Sequence, residues 1–181
     1  MAQYTDEELL EMFIEGDNPN YAFNLIVRKY QESVYWHIRR LVITHEDAND
    51  IVQDVFVKAW RGLHKFRRDA GLYTWLYRIA TNEALSFLKK KKRRMFLSMM
   101  DAGKQLEDSL EADVYYQGDD LQKKVHKAIL SLPEKQRAVF NLRYYDEMKY
   151  EDMTRVLNTS VGALKASYHH AVKKIEEYIR A

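Results

Sequence analysis

The sequence predicts an all-α protein: two small helical domains joined by an acidic linker. Three observations point that way. Apolar residues recur every three or four positions along most of the 181 residues, and no stretch alternates with the period of two that a half-buried strand needs. Two prolines and six glycines are too few for the many tight turns of an all-β fold. Charge falls into three blocks behind a net charge of +2. Residues 1–98 carry 16 Lys and Arg against 13 Asp and Glu, residues 99–120 carry 1 against 7, and residues 121–181 carry 12 against 7. The domains are therefore expected at 1–98 and 121–181 with 99–120 as linker, and two basic blocks imply a shared polyanionic partner.

Composition removes several classes of function. A hydrophobic fraction of 46% supplies real cores, yet there is no 18-residue apolar run and no signal-peptide pattern. The expectation is a soluble, cytoplasmic protein without membrane insertion. No cysteine is present, which excludes disulfides, thiolate zinc sites and cysteine nucleophiles. No phosphate-binding glycine-rich loop, HExxH or GxSxG occurs, so no catalytic residue, cofactor or metal is expected.

Each helix has its own signature. Thr5 with Glu8 three residues on is a capping box opening a short helix that buries Leu9, Leu10 and Phe13. Asn20 can cap a longer second helix to about Val42, with Phe23, Ile26, Val27, Tyr30, Val34, Ile38 and Leu41 at helical spacing. Thr44 caps a third, whose inward stripe is Ile51, Val52, Val55, Phe56 and Ala59. After the loop "KFRRDAG" a fourth begins near Leu72, with Leu76, Ile79, Ala80, Ala84 and Phe87 inward and Tyr73, Tyr77 and Leu88 flanking. Beyond the linker, Leu121, Val125, Ile129 and Leu132 share a stripe. Pro133 suits the first position of the next helix, where its missing N–H costs nothing, and Val139, Phe140 and Tyr144 continue the core. "MKYEDMTRVL" and "VGALKASYHHAVKKIEEYI" complete the set.

Three surfaces could carry function. The last two helices are joined by only "NTS", the pattern of a helix-turn-helix whose second helix enters the DNA major groove. The outward face of that helix gathers Ala163, Ala166, Ser167, His169, His170 and Lys173: small residues permit close approach to bases and cations reach phosphate. A hairpin used only for packing is the alternative. His169 and His170 point about 100° apart, so they cannot share a metal as an i,i+4 pair does. On the fourth helix, Trp75, Arg78, Asn82, Ser86 and Lys89 form the outer arc, followed by six cations from Lys89 to Arg94. An indole among guanidinium, amide and hydroxyl groups is a platform for stacking unpaired bases, with Lys89, Lys90 and their neighbours tracking the backbone. The alternative is a tryptophan at the edge of the core and a solvated cationic run. On the third helix Val57 stands alone among Asp50, Gln53, Asp54, Lys58 and Arg61, an apolar centre with a polar rim that suits protein docking. A metal-dependent nuclease using Asp47, Asp50 and Asp54 is the competing reading, but no general base accompanies them.

"DANDIVQDVFVKAWRGLHKFR" (47–67), "TWLYRIATNEALSFLKKKKRR" (74–94) and "LPEKQRAVFNLRYYDEMKYEDMTRVLNTSVGALKASYHHAVKKI" (132–175) resemble regions two and four of bacterial sigma factors, above all the extracytoplasmic function (ECF) subfamily. The resemblance implies a promoter-specificity subunit whose partners are core RNA polymerase, through its beta-prime and beta subunits, promoter DNA, and an anti-sigma factor. It implies that Asp50, Gln53, Asp54, Val57, Lys58 and Arg61 dock on the polymerase clamp. Phe66 and Arg67 of the loop, with Trp75, Tyr77, Arg78, Asn82, Ser86, Lys89 and Lys90, would melt the minus-ten element and hold a flipped base. Ala163, Lys165, Ala166, Ser167, His169, His170 and Lys173 would read the minus-thirty-five element. The family often has Gly where this chain has Asn158, a residue that also tolerates the left-handed conformation. It usually carries Ser and Arg at the positions of Ala166 and Ser167, and Arg at His170, so the promoter sequence does not transfer. The main rival is a stand-alone helix-turn-helix repressor or activator, which has no need of a single-strand platform.

Overall fold

The computed structural model describes residues 4–98 and 118–181, all helical apart from turns. The helices are α1 (Asp6–Ile14), α2 (Pro19–Val42), α3 (His45–Gly62) and α4 (Leu72–Ser98), then α5 (Asp120–Leu130), α6 (Glu134–Tyr144), α7 (Tyr150–Leu157) and α8 (Val161–Arg180). A 3-10 turn, Leu63–Lys65, links α3 to the loop before α4.

Local chemistry explains most boundaries. The Thr5–Glu8 capping box forms in both directions, with Glu8 N–H donating to Thr5 Oγ1 at 3.2 Å and Thr5 N–H to Glu8 Oε2 at 2.7 Å. That bond to the Thr5 backbone also holds the Glu8 carboxyl below its usual range. α2 begins two residues earlier than expected. Asn18, not Asn20, is the cap, accepting from Tyr21 N–H at 3.0 Å, because Pro19 fits the first helical turn where no N–H is needed. Thr44 caps α3 as expected. Between α2 and α3 the chain makes a γ-turn at Ile43 (φ 77°, ψ −55°), closed by Thr44 N–H to Val42 C=O at 3.0 Å. A β-branched residue there is strained, and its burial (4% exposed) holds it in place.

The linker expectation falls mainly on residues 99–117, which lie outside the described residues. Its far end is corrected: Asp119 accepts from Gln122 N–H at 2.8 Å as the cap of α5, and Asp120 is already helical. Two aspartates at a helix N-terminus meet unpaired N–H groups and the positive end of the dipole. Pro133 caps α6 rather than occupying its first position.

One apolar core joins Leu9, Phe13, Ile26, Val34, Ile38, Val55 and Leu76 of α1–α4. A smaller one holds Ala128, Ile129, Leu132, Phe140, Ala171 and Ile175 of the second half. The halves are not separate bodies here, since Ala138, Val139, Leu142, Met148, Met153, Val156 and Leu164 belong to the larger core. α2 and α4 pack against α6 and α7 across this seam. Two residues expected inside are outside: Leu121 is 60% exposed and Tyr144 is 59% exposed. Leu121 sits in the first turn of α5, before that helix reaches the core, and Tyr144 stacks on Phe140 from the solvent side at 5.2 Å.

Candidate functional site

α3 buries Ala48, Ile51, Val55, Phe56 and Ala59 against α2 and α4, which turns the opposite face outward. Asp50, Gln53, Asp54, Val57, Lys58 and Arg61 are all exposed, and Val57 is an isolated apolar surface residue at 48%. Lys58 forms an ion pair with Glu83 of α4, which steadies one edge of this face. Asp47 does not join Asp50 and Asp54; its carboxylate accepts from Lys91 Nζ at 2.8 Å. Among the described residues no three or more His, Asp or Glu side chains are gathered as a metal ion would need.

The stacking face is built from the end of α3, the loop and the first turns of α4. Leu63 and Leu72, each 1% exposed, anchor the two ends of the loop. Arg68 bends it through the left-handed region (φ 57°). This brings Phe66 onto Trp75, ring centroids 5.1 Å apart. On another side the indole lies against Gly62, where an added Cβ would stand 3.2 Å from Trp75 Cζ2. Trp75 is thus half-buried and held rather than free to swing. Arg67, Arg78, Asn82, Ser86, Lys89 and Lys90 are exposed along the same side.

Tyr77 is the exception and corrects the expected base-contacting set. It is 1% exposed, with its hydroxyl donating to Ser33 C=O at 3.2 Å and facing Asp146 of the second half at 3.5 Å. Burial first, and then the Asp146 charge, push its pKa far above the ordinary tyrosine value. No base reaches it in this arrangement. Its neighbour Tyr73, ring centroid 4.2 Å away, is also raised by burial.

The turn between α7 and α8 is the third site. Asn158 ends α7 in the left-handed conformation (φ 50°, ψ 52°), and Ser160 starts α8 by accepting from Ala163 N–H at 3.2 Å. Leu164, Ala171 and Ile175 face inward. Ala163, Lys165, Ala166, His169, His170 and Lys173 are exposed and Ser167 is half-buried, so the expected reading face is the outer face. The rings of His169 and His170 diverge, 6.0 Å between centroids and 59° between planes.

Comparison with known proteins decides the family. Residues 26–94 match the model for Sigma-70 region 2, and residues 122–175 match Sigma-70, region 4. The ECF RNA polymerase sigma-E factor of Escherichia coli is 34% identical over 186 residues, covering 98% of this chain and 96% of that protein. The RNA polymerase sigma-H factor of Pseudomonas aeruginosa is 32% identical over 188 residues, covering 99% and 96%. The chain belongs to the sigma-70 family as an ECF sigma factor. Two solved structures share its fold: CnrH in complex with the cytosolic domain of CnrY (TM-score 0.69, 24% identity, 97% of each chain), and the sigma factor RpoE in complex with the anti-sigma factor NepR from Bartonella quintana (TM-score 0.66, 24% identity, 88% of this chain and 97% of that one).

A sigma factor directs promoter-specific transcription by RNA polymerase, and the three outer faces lie within the matched regions: α3 and α4 in region 2, the α7–α8 turn and most of α8 in region 4. Sequence reading missed the polar contact between the regions. His37, fully buried on α2, meets Asp146 in the α6–α7 loop with Nδ1 and Oδ2 2.8 Å apart. The only local signal was a histidine set in the apolar stripe of Val34, Ile38 and Leu41.

Proposed function

We propose that the three faces divide the work of initiation. The Val57-centred face of α3 docks on the clamp of core RNA polymerase, in the beta-prime subunit. The loop with Phe66 and Arg67, and the outer side of α4, engage the minus-ten element and stabilise it unpaired. The outer face of α8 reads the minus-thirty-five element as duplex while the chain works with polymerase in the cytoplasm. It contributes binding surfaces and no catalytic group.

The Trp75 platform carries this reading. Flipping a base costs a few kcal/mol, and stacking on an aromatic returns about 1–3 kcal/mol per base. A platform that is already rigid loses little further entropy on binding. Trp75 meets that condition, packed between Phe66 and Gly62 with Arg78 exposed nearby. Lys89, Lys90 and the cations after them extend the same helix, as a strand leaving the platform would require. A stand-alone repressor reading duplex DNA has no use for such a surface. The anti-sigma partner is supported by the two solved relatives, each bound to another protein, CnrY or NepR.

Trp75→Ala is expected to leave polymerase binding and initial promoter binding within about threefold. It should lower the equilibrium constant for opening by roughly 5- to 150-fold, the loss of one stacking contact of about 1–3 kcal/mol, and the open-complex fraction falls with it. Permanganate footprinting of unpaired thymines reads that fraction. Normal melting in the variant would contradict the assignment.

A further inference from the structure

We propose that His169 and His170 make recognition of the minus-thirty-five duplex proton-linked. The two imidazoles stand on either side of the DNA-facing line of α8 and engage the duplex in their charged form, so promoters are held more tightly as pH falls. The linkage rests on the role proposed above for α8.

Helix geometry sets where the rings point. Leu164, Ala171 and Ile175 face inward. At about 100° per residue, the opposite side of α8 is the line through Gly162, Ala166 and Lys173, all three exposed. An added Cβ at Gly162 would meet nothing within 4 Å, so a duplex can approach this line closely. His169 lies to one side of the line and His170 to the other, and their ring planes diverge by 59°. In a major groove about 12 Å wide, the two sides of an inserted helix face opposite strands. Small residues on the line and a histidine at each side therefore suit a helix seated between two phosphate backbones.

Neither ring is committed within the protein. Both residues are exposed, and neither makes a hydrogen bond or ion pair with another described residue. The permanent cations on this side of α8 are Lys165, Lys173 and Lys174. Lys173 lies 4.0 Å from Glu177, and Lys174 donates to Gln136 Oε1 at 3.1 Å. Glu176 and Glu177, the carboxylates of α8, follow His169 and His170 by about two turns, or roughly 10 Å. The neighbouring helices bring few charges here. Arg143 and Tyr144 of α6 and Tyr150 of α7 act on Tyr168, and Lys165 Nζ lies 5.7 Å from the Tyr150 ring centroid. α5 meets α8 through Ala128 and Ile129, with Lys127 and His126 beside them, the latter kept neutral more readily by burial. No carboxylate among the described residues pairs with either imidazole, so DNA phosphate is the anion that a charged ring can engage.

Histidine is the side chain that changes charge between about pH 5 and 8. Neutral, an imidazole offers one donor and one acceptor. Protonated, it offers two donors and a charge, which suits phosphate oxygens and the O6 and N7 acceptors of guanine. Anion contact stabilises the charged ring over the neutral one, so binding takes up protons. The added affinity is complete where the free ring is already charged, and it is lost as pH rises until the bound ring is neutral too. An opposite charge at contact distance favours the charged form by about tenfold or more, so two rings span about a hundredfold between those limits. Occupancy of the minus-thirty-five element then follows pH without a second protein.

The test uses the full chain assembled with core polymerase. Fluorescence anisotropy gives its Kd for a promoter selected by transcription from a random DNA library, at about pH 6, 7 and 8 and one ionic strength. A second DNA carries the same promoter with its minus-thirty-five element scrambled. The parent should bind the intact promoter at least about tenfold more tightly at the acid end than at the alkaline end. On scrambled DNA that ratio should shrink to about twofold or less, which measures the pH response of the rest of the complex. The double variant His169→Gln with His170→Gln keeps polar side chains of similar reach without the charge. Its ratio on intact DNA should fall to the scrambled-DNA value, with helicity by circular dichroism unchanged. Equal ratios for parent and double variant on the intact promoter would overturn the linkage while leaving α8 as the reading helix. Equal affinity of the parent for intact and scrambled DNA at every pH would overturn the reading role of α8, and the linkage with it.

Discussion

Val57→Asp separates docking from folding. Val57 is 48% exposed, while Val55, two residues earlier on the same helix, is fully buried. A surface substitution of this kind changes stability by about ±0.5 kcal/mol, and Val and Asp differ by only tenths of a kcal/mol in helix propensity. At the apolar centre of an interface, losing the isopropyl group and desolvating a carboxylate costs about 2 kcal/mol or more. That corresponds to a rise in Kd of roughly 30-fold, at 1.4 kcal/mol per decade. Fluorescence anisotropy of the labelled protein titrated with core polymerase gives Kd, and a circular dichroism melt gives Tm. The expected pair is a Kd raised at least 30-fold with Tm within about 2 °C, as a change under 0.5 kcal/mol implies for a chain of this size. Val55→Asp is the contrast, since an unpaired carboxylate in the core should unfold region 2 outright. A Kd within threefold of the parent at unchanged Tm would refute the docking face.

Three further outcomes follow from the geometry. Asn158→Gly should stabilise the protein by about 0.5 kcal/mol in urea denaturation, because glycine takes the left-handed cap at lower cost (φ 50°, ψ 52°). Met153→Ala, which empties a fully buried position shared by both regions, should cost about 2–5 kcal/mol and lower the urea midpoint accordingly. Tyr30 and Tyr77 have pKa values raised far above the ordinary value, chiefly by burial, with the Asp6 hydrogen bond adding at Tyr30 and the Asp146 charge at Tyr77. A phenol with a raised folded pKa contributes stability that is full below its unfolded value near 10 and is lost as pH rises above it. Tyrosine absorbance at 295 nm should therefore show a late, cooperative fraction that titrates only as helicity is lost; smooth titration of all tyrosines with helicity intact would contradict the burial.

Much of this was legible from residue patterns because the deciding interactions are local. The Thr5 and Thr44 caps and the left-handed Asn158 are set by residues within a few positions of one another. The outward faces of α3 and α8 follow from helical periodicity once the inward stripe is known. The misses are of two kinds. At α2, Asn20 and Asn18 are both good caps, and Pro19 decides between them. Leu121 and Tyr144 lie on stripes that continue the core pattern, but a stripe does not tell how far along it the neighbouring helix extends. The His37–Asp146 contact spans 109 residues, and no local pattern connects the two. Tyr77 lies beside the same contact, its hydroxyl donating to Ser33 C=O within region 2 and facing Asp146 of region 4.

Site-specific photocrosslinking in an open promoter complex tests the division of labour most directly. Benzoylphenylalanine is placed singly at positions 57, 75 and 166 in complexes on a promoter selected by transcription from a random DNA library. The expected products are the largest polymerase subunit from position 57, the unpaired minus-ten strand from position 75, and duplex minus-thirty-five DNA from position 166. DNA crosslinked from position 57, or an open complex in which position 75 reaches no unpaired strand, would contradict it.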